Sequence, residues 1–382
     1  MTNFANNERF SSPLYHAKGT SLAEQYEDTG RLFGEYIRAA VARVRRRRKG
    51  AALRRAVAER ALACLVATPV ASEFLRCLRA WARGAAISEL EAMWLMADNF
   101  GGCQTVAVRY GSGVALLHTE EDAENVQARM RPVHTIVFSE PSGTSNSLVY
   151  NDMLPGAALY GWKKDMLTAV DTLYLSEHGV DEIERPALAN VISWLVWRMQ
   201  PEDASAEAVQ AHIAELGEVA DGYTIQVVRR TGATIDAYKI TFARGDTAVE
   251  HLGDGVGAYL RQVNIIDPDY IATGEPVAAW RLPPRNMYRG YWRHFLDRLA
   301  TIDRTMARYA PYTATVLSKE TLERSHRNVQ ATLFGDLRSE FINSDVGAVC
   351  VGFLDQRCGT SVSCKVPDHR PLESLEYIDI LE

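Results

Sequence analysis

The sequence predicts an α+β protein built from antiparallel strand pairs layered with helices. Three features carry that expectation: a helix-rich stretch over the first 100 residues, alternating segments paired across glycine turns after Gly102, and blocks of helix formers between those pairs. Ser21 and Glu24 have capping-box spacing and open a helix expected to run as far as Arg48. The segments from Ala51 to Val66 and from Ala71 to Ala82 continue with apolar residues at helical spacing, separated at Pro69. Ser88 with Glu91 forms a second capping box. Past Gly102, Thr105 to Tyr110 and Val114 to His118 flank Gly111, Ser112 and Gly113 as a hairpin. Val133 to Phe138 reads as a strand, followed by a Pro/Ser/Gly loop at 141–147. Tyr223 to Val228 and Thr234 to Phe242 flank a turn at Gly232, and Val346 to Leu354 with Thr360 to Val366 makes a last hairpin. Helices are expected at about 186–199, 204–216 and 287–308.

Composition narrows the class. Of 382 residues, 47% are hydrophobic and 24% charged, an ordinary globular balance that excludes fibrous and disordered chains. A net charge of −6 gives no electrostatic case for nucleic acid as the main partner. The longest apolar stretches, such as Ala61 to Val66, fall far short of the roughly 20 residues a membrane helix needs. The polar start, Met1 to Asn6, lacks a secretory pattern, so the six cysteines read as reduced thiols and the expected compartment is the cytoplasm. Charge is unevenly spread: residues 1–102 carry net +6 and the remainder net −12. Much of the positive excess lies in Arg43 and in the run Arg45, Arg46, Arg47, Arg48, Lys49. That run reads foremost as a solvated helix end stopped by Gly50, and secondarily as a docking site for acidic lipid, phosphate or nucleic acid.

Several site patterns are excluded. Gly253, Gly255 and Gly257 alternate, which is not dinucleotide-binding spacing, and neither a nucleophile elbow nor a phosphate loop is present. Cys350, Cys358, Cys364 and His369 lack the close cysteine pairs of a structural zinc site and read as small hydrophobes in a hairpin. No metal or cofactor is therefore expected. Cys103 remains. It follows Gly101 and Gly102 where helix gives way to strand. One reading is a buried strand cysteine. The other is an N-terminal nucleophile released by cutting the Gly102–Cys103 bond, where the preceding glycine permits close approach. The freed α-amine, with an ordinary pKa of about 7.7–8.0, would then act as base for its own thiol.

The surroundings of Cys103 extend this second reading. Gly19, Thr20, Glu24, Tyr26 and Gly30, the segment from Trp81 to Ile87, Asp98-Asn99, and Gly102-Cys103-Gln104-Thr105 occur in order. They are followed by Gly161-Trp162, the stretch from Leu167 to Leu173, Arg185-Pro186, His251, Tyr259-Leu260 and Tyr291-Trp292-Arg293. In this succession the chain resembles the acyl-coenzyme A:isopenicillin N acyltransferase family of N-terminal nucleophile hydrolases. The resemblance implies a four-layer αββα sandwich, with 1–102 as a helical propeptide that stays associated and 103–382 as the catalytic region. It places Asp122 as the carboxylate that orients the new α-amine and the thiol, against the plainer reading of an acidic turn with Glu120, Glu121 and Glu124.

The sequence departs from the family where an asparagine usually serves the oxyanion. Asp171 or Thr172 stands nearest, with Lys163 at another usual asparagine, and an expected late arginine is replaced by Ser344-Asp345-Val346-Gly347. Lys163, Asp171 and His251 are accordingly the oxyanion or substrate candidates. The expected activity is acyl transfer from a small N-acyl amide or acyl thioester through an acyl-enzyme on Cys103, to water or to an amine. The alternative is a catalytically silent relative that binds a small molecule or a protein.

Overall fold

The Ser21 hydroxyl accepts from the Glu24 amide while the Glu24 carboxylate takes the Ser21 amide, so the capping box forms and starts α1 (Leu22–Leu32). The computed structural model describes residues 14–46, 51–97, 102–121, 133–173, 188–265, 295–307, 346–365 and 379–380, apart from 112, 158, 218, 220–221, 244–245, 305 and 357–358. The expected single helix to Arg48 is instead two. The Phe33 amide closes α1 on the Thr29 carbonyl, and Gly34 opens α2 (Gly34–Arg46). Two packing demands explain the break. Phe33 turns inward against the His134 ring, 4.9 Å away. The course of α1 is fixed by its crossing with α4 (Ser72–Ala85), where a Cβ on Gly30 would lie 2.1 Å from the Trp81 carbonyl oxygen and one on Gly84 2.0 Å from that of Glu27. Between and beyond them lie α3 (Ala51–Ala67) and α5 (Glu89–Ala97), the latter opened by the expected Ser88–Glu91 box.

Among the described residues no single helix is long and apolar enough to cross a membrane. The pair Arg55–Ala67 and Pro69–Ala85 passes together on length and composition alone, bent by 104°. Phe74, Cys77, Leu78 and Trp81 of α4 are buried within the protein.

The described strands form two sheets, which with the helices establishes the α+β class. The larger comprises β1 (Leu14–His16), β4 (Val133–Glu140), β5 (Gly143–Tyr150), β6 (Tyr160–Lys163), β7 (Met166–Thr172), β8 (Gly222–Thr231), β9 (Thr234–Ala243) and β10 (Asp246–His251), in that order. All its pairs are antiparallel except β1 on β4. The smaller comprises β11 (Tyr259–Val263), β2 (Gly102–Tyr110), β3 (Gly113–Glu121), β12 (Val346–Asp355), β13 (Gly359–Lys365) and β14 (Asp379–Ile380), all antiparallel. The three expected hairpins are present, and α6 (Ala189–Arg198) and α7 (Ala206–Leu216) fall within their expected spans. A helical segment at 295–304 falls within the third. The loop expected at 141–147 is a correction. Only a tight turn separates β4 from β5, because Ser145 to Leu148 pair on both sides, with β4 and with β6. Two partner strands outweigh the local turn preference of the Pro, Ser and Gly residues.

The two sheets face each other. The Tyr160 hydroxyl donates across to the Leu116 carbonyl at 3.0 Å, and the Gln226 amide to the Thr105 carbonyl at 3.3 Å. A Cβ on Gly352 would meet the Tyr160 hydroxyl at 2.3 Å, so that strand approaches as closely as glycine allows. The opposite face of the larger sheet carries helices. Trp197 of α6 donates to the Asn146 carbonyl at 2.9 Å and fills the space beside Gly156 and Gly161. Tyr26 of α1 stacks on Phe138 at 4.8 Å and accepts from the Trp194 indole at 2.7 Å. Residues on both sides of position 102 thus share one continuous hydrophobic core.

Candidate active site

Strand alternation decides what meets between the sheets. On β2, Cys103 and Thr105 point inward while Gln104 points outward, where the buried Arg298 guanidinium holds its carbonyl oxygen at 3.0 and 3.1 Å. On β3 the residues directly opposite Cys103 and Thr105 are Glu120 and His118, which therefore share that face. From the larger sheet, β7 brings Asp171 and β8 brings Thr224 and Gln226. All of these are at most 5% exposed, so this end of a layer that elsewhere buries Leu116, Tyr160 and Leu167 is polar.

Cys103 is held at two atoms by one side chain. Asn264, just past the end of β11, accepts from the Cys103 amide through Oδ1 at 2.9 Å and donates to Sγ through Nδ2 at 3.2 Å. The same Nδ2 reaches the Thr172 carbonyl at 2.9 Å and hydroxyl at 3.2 Å, tying the end of β7 to the cysteine. Burial pushes the thiol well above its ordinary pKa, and the Asp171 and Glu120 charges push it further. In the intact chain the sulfur is therefore a neutral thiol.

Beside it, burial raises the Asp171 carboxyl to about 6, against the opposing influence of His118, Thr105 and Cys103. Neither Asp171 oxygen has a hydrogen bond of ordinary geometry. The His118 ring takes Thr105 Oγ1 at Nδ1, 2.9 Å away, and lies 3.4 Å through Nε2 from the Glu120 carboxylate. A thiol, a carboxyl near neutral pKa, an imidazole and a second carboxylate thus share one buried compartment, a composition found in proton-transfer sites.

Of the residues singled out from sequence, Cys103 and Asp171 are brought together. Lys163 is not: its ammonium donates to the Arg198 and Met199 carbonyls at 3.2 and 2.9 Å, capping the end of α6, and burial lowers its pKa to about 8. Both directed bonds serve a helix terminus on the other face of the sheet, away from Cys103. His251 is exposed at the end of edge strand β10, its ring 6.2 Å from that of Tyr238. Gly102 lies in β2 opposite Glu121. Asp122 lies outside the described residues, as do Asp98-Asn99, Arg185-Pro186, Tyr291-Trp292-Arg293, Cys358 and His369. Cys350 is fully buried in β12, as a small hydrophobe would be. Of the basic run, Arg45 pairs with Glu91 and Arg46 donates to the Ala42 carbonyl at the last turn of α2, and 47–50 are outside the described residues.

Sequence reasoning missed Asn264, His118 and Glu120. The signal for Asn264 is small, one amide in the run Val263-Asn264-Ile265. For His118 and Glu120 it was present in the alternation of β3, once Cys103 was singled out. No family model matches the chain, and no curated protein matches it significantly.

Proposed function

We infer that the chain is an autoprocessed N-terminal-cysteine amidohydrolase or acyltransferase of the acyl-coenzyme A:isopenicillin N acyltransferase-like, N-terminal nucleophile type. In this reading the two facing sheets and their helices are its αββα sandwich. Residues 1–102 are a propeptide kept in place by β1 and the shared core, and the compartment is the cytoplasm. After cleavage at Gly102–Cys103 the thiol attacks the carbonyl of a small N-acyl amide or acyl thioester, the α-amine moves the proton, and the acyl-enzyme passes its acyl group to water or an amine. No cofactor enters. The observation that supports it most is the double grip of Asn264 on Cys103. One amide positions both the nitrogen that would become the base and the sulfur that would attack, and its Nδ2 is a donor suited to an oxyanion. The 2% exposure of Cys103 in the intact chain favours the second reading, a silent relative that binds a small molecule or protein.

Intact mass and N-terminal sequencing of purified protein decide between them. The processed enzyme yields two fragments, the larger beginning at Cys103, and Cys103→Ala yields one folded chain without acyl turnover. A full-length chain that turns over an acyl amide overturns the propeptide, and a full-length inactive chain supports the binding reading.

A further inference from the structure

Asp171 is completely buried, faces the Cys103 thiol, and carries two oxygens without an ordinary hydrogen bond. A buried carboxyl in that condition costs stability, and proton-transfer sites are where such groups collect. Among the described residues, the titratable groups that act on it are Cys103 from β2 and His118 and Glu120 from β3. The imidazole lowers its proton affinity and Glu120 raises it. Thr105, bonded to His118 Nδ1, also lowers it, and so links the ring to the carboxyl.

We propose that Asp171 is the proton carrier for self-cleavage, taking the Cys103 thiol proton as sulfur attacks the Gly102 carbonyl and returning it to the Cys103 nitrogen as that bond breaks. The proposal rests on the processing reading above and names the group that serves before any α-amine exists. The balance is complete. A sulfur–carbon bond forms while the carbon–nitrogen bond breaks, and the proton passes from sulfur to carboxylate to nitrogen. The product is a thioester with a neutral amine. Water then hydrolyses the thioester, giving the Gly102 carboxylate and restoring the thiol. One carboxyl suffices because sulfur and nitrogen belong to the same residue and are both held by Asn264. With burial raising its pKa to about 6, the carboxyl is ionised at neutral pH and a stronger base than an ordinary carboxylate, and the proton it draws from sulfur is carried on to the leaving nitrogen.

The test follows newly synthesised full-length chain in cell-free translation by gel and mass across pH. Wild type is expected to cleave with a rate that falls below a pH of about 6, as the acceptor becomes protonated. Asp171→Asn, nearly isosteric, is expected to cleave roughly 10²-fold more slowly and to lose that acid limb, while melting no lower than wild type. Thr105→Val keeps the carboxyl and removes a group that lowers its pKa, so its acid limb should move to higher pH, which a merely structural role of Asp171 would not produce. Wild-type cleavage with an unchanged rate in Asp171→Asn overturns the proton carrier and leaves Cys103 as nucleophile. An unshifted limb in a folded Thr105→Val also overturns it, as the carboxyl would then not set the profile. A wild-type chain that never cleaves overturns the processing reading and the proton carrier together.

Discussion

The two faces of the larger sheet are built on opposite principles. Its outer face is covered by large aromatic side chains from the helices, with Phe138 of β4 against Tyr26 of α1 and Trp197 of α6, and Trp194 of α6 against Phe74 of α4. Its inner face, equally buried, presents Asp171, Thr224 and Gln226 to Cys103, Thr105, His118 and Glu120 of the smaller sheet. Apolar burial stabilises at roughly 25 cal/mol per Å², whereas a buried polar group contributes only about 0.5–1.5 kcal/mol when hydrogen-bonded and costs about 1–3 kcal/mol when left without a partner. Around Cys103 the inner face therefore carries the chemistry at a cost in stability, and substitutions there should separate from those in the aromatic packing of the outer face.

Cys103→Ala sharpens the separation most. It is expected to abolish cleavage and acyl turnover completely while leaving the melting temperature close to wild type, measured by mass and calorimetry on one preparation. Trp197→Ala should do the reverse. Removing an indole that fills the space over Gly156 and Gly161 should cost about 3–5 kcal/mol in urea unfolding, with cleavage retained in the fraction that folds.

Asp171→Asn should show that the inner face works against stability. The folded carboxyl has its pKa raised by burial to about 6 from an ordinary 3.8, so the folded state binds more protons between those values. Stability is then lost as pH rises through that window, and the penalty is complete above about 6. The asparagine variant should be up to about 3 kcal/mol more stable than wild type at neutral pH, converting the shift at 1.36 kcal/mol per unit. Its advantage should vanish below a pH of about 4. Equal denaturant midpoints for the two proteins at neutral pH would contradict this.

Asn264→Leu breaks the comparison in a subtler way, since it touches both stability and chemistry. It removes the acceptor of the buried Cys103 amide and the donor to its sulfur. The expected costs are about 1–3 kcal/mol in unfolding and roughly 10²-fold in cleavage rate. A variant that loses stability but cleaves at the wild-type rate would limit Asn264 to holding β11 against β7.

Much of the architecture was written locally. Capping boxes at Ser21 and Ser88, glycine turns at 111 and 232, and the alternation of β2, β3, β8, β9 and β12 are each set by neighbouring residues, so periodicity reveals them. The place of Cys103 at the change from helix to strand was legible for the same reason. The split of the first helix at Phe33 was not, because it answers to Trp81 and His134, distant in sequence. Nor was the pairing that turns 143–150 into a strand with neighbours on both sides.

The sequence by itself determined which side chains share a strand face: Cys103 with Thr105, and His118 with Glu120. It placed Asp171 and Lys163 near each other in the chain and left them equal as candidates. Only the tertiary structure separated them, sending Asp171 between the sheets and Lys163 to the end of a helix outside. It also brought Asn264 onto Cys103 across 161 residues. The physical reason is that alternation fixes a side chain to one of two faces, while the partner of each face is chosen by how whole sheets and helices pack.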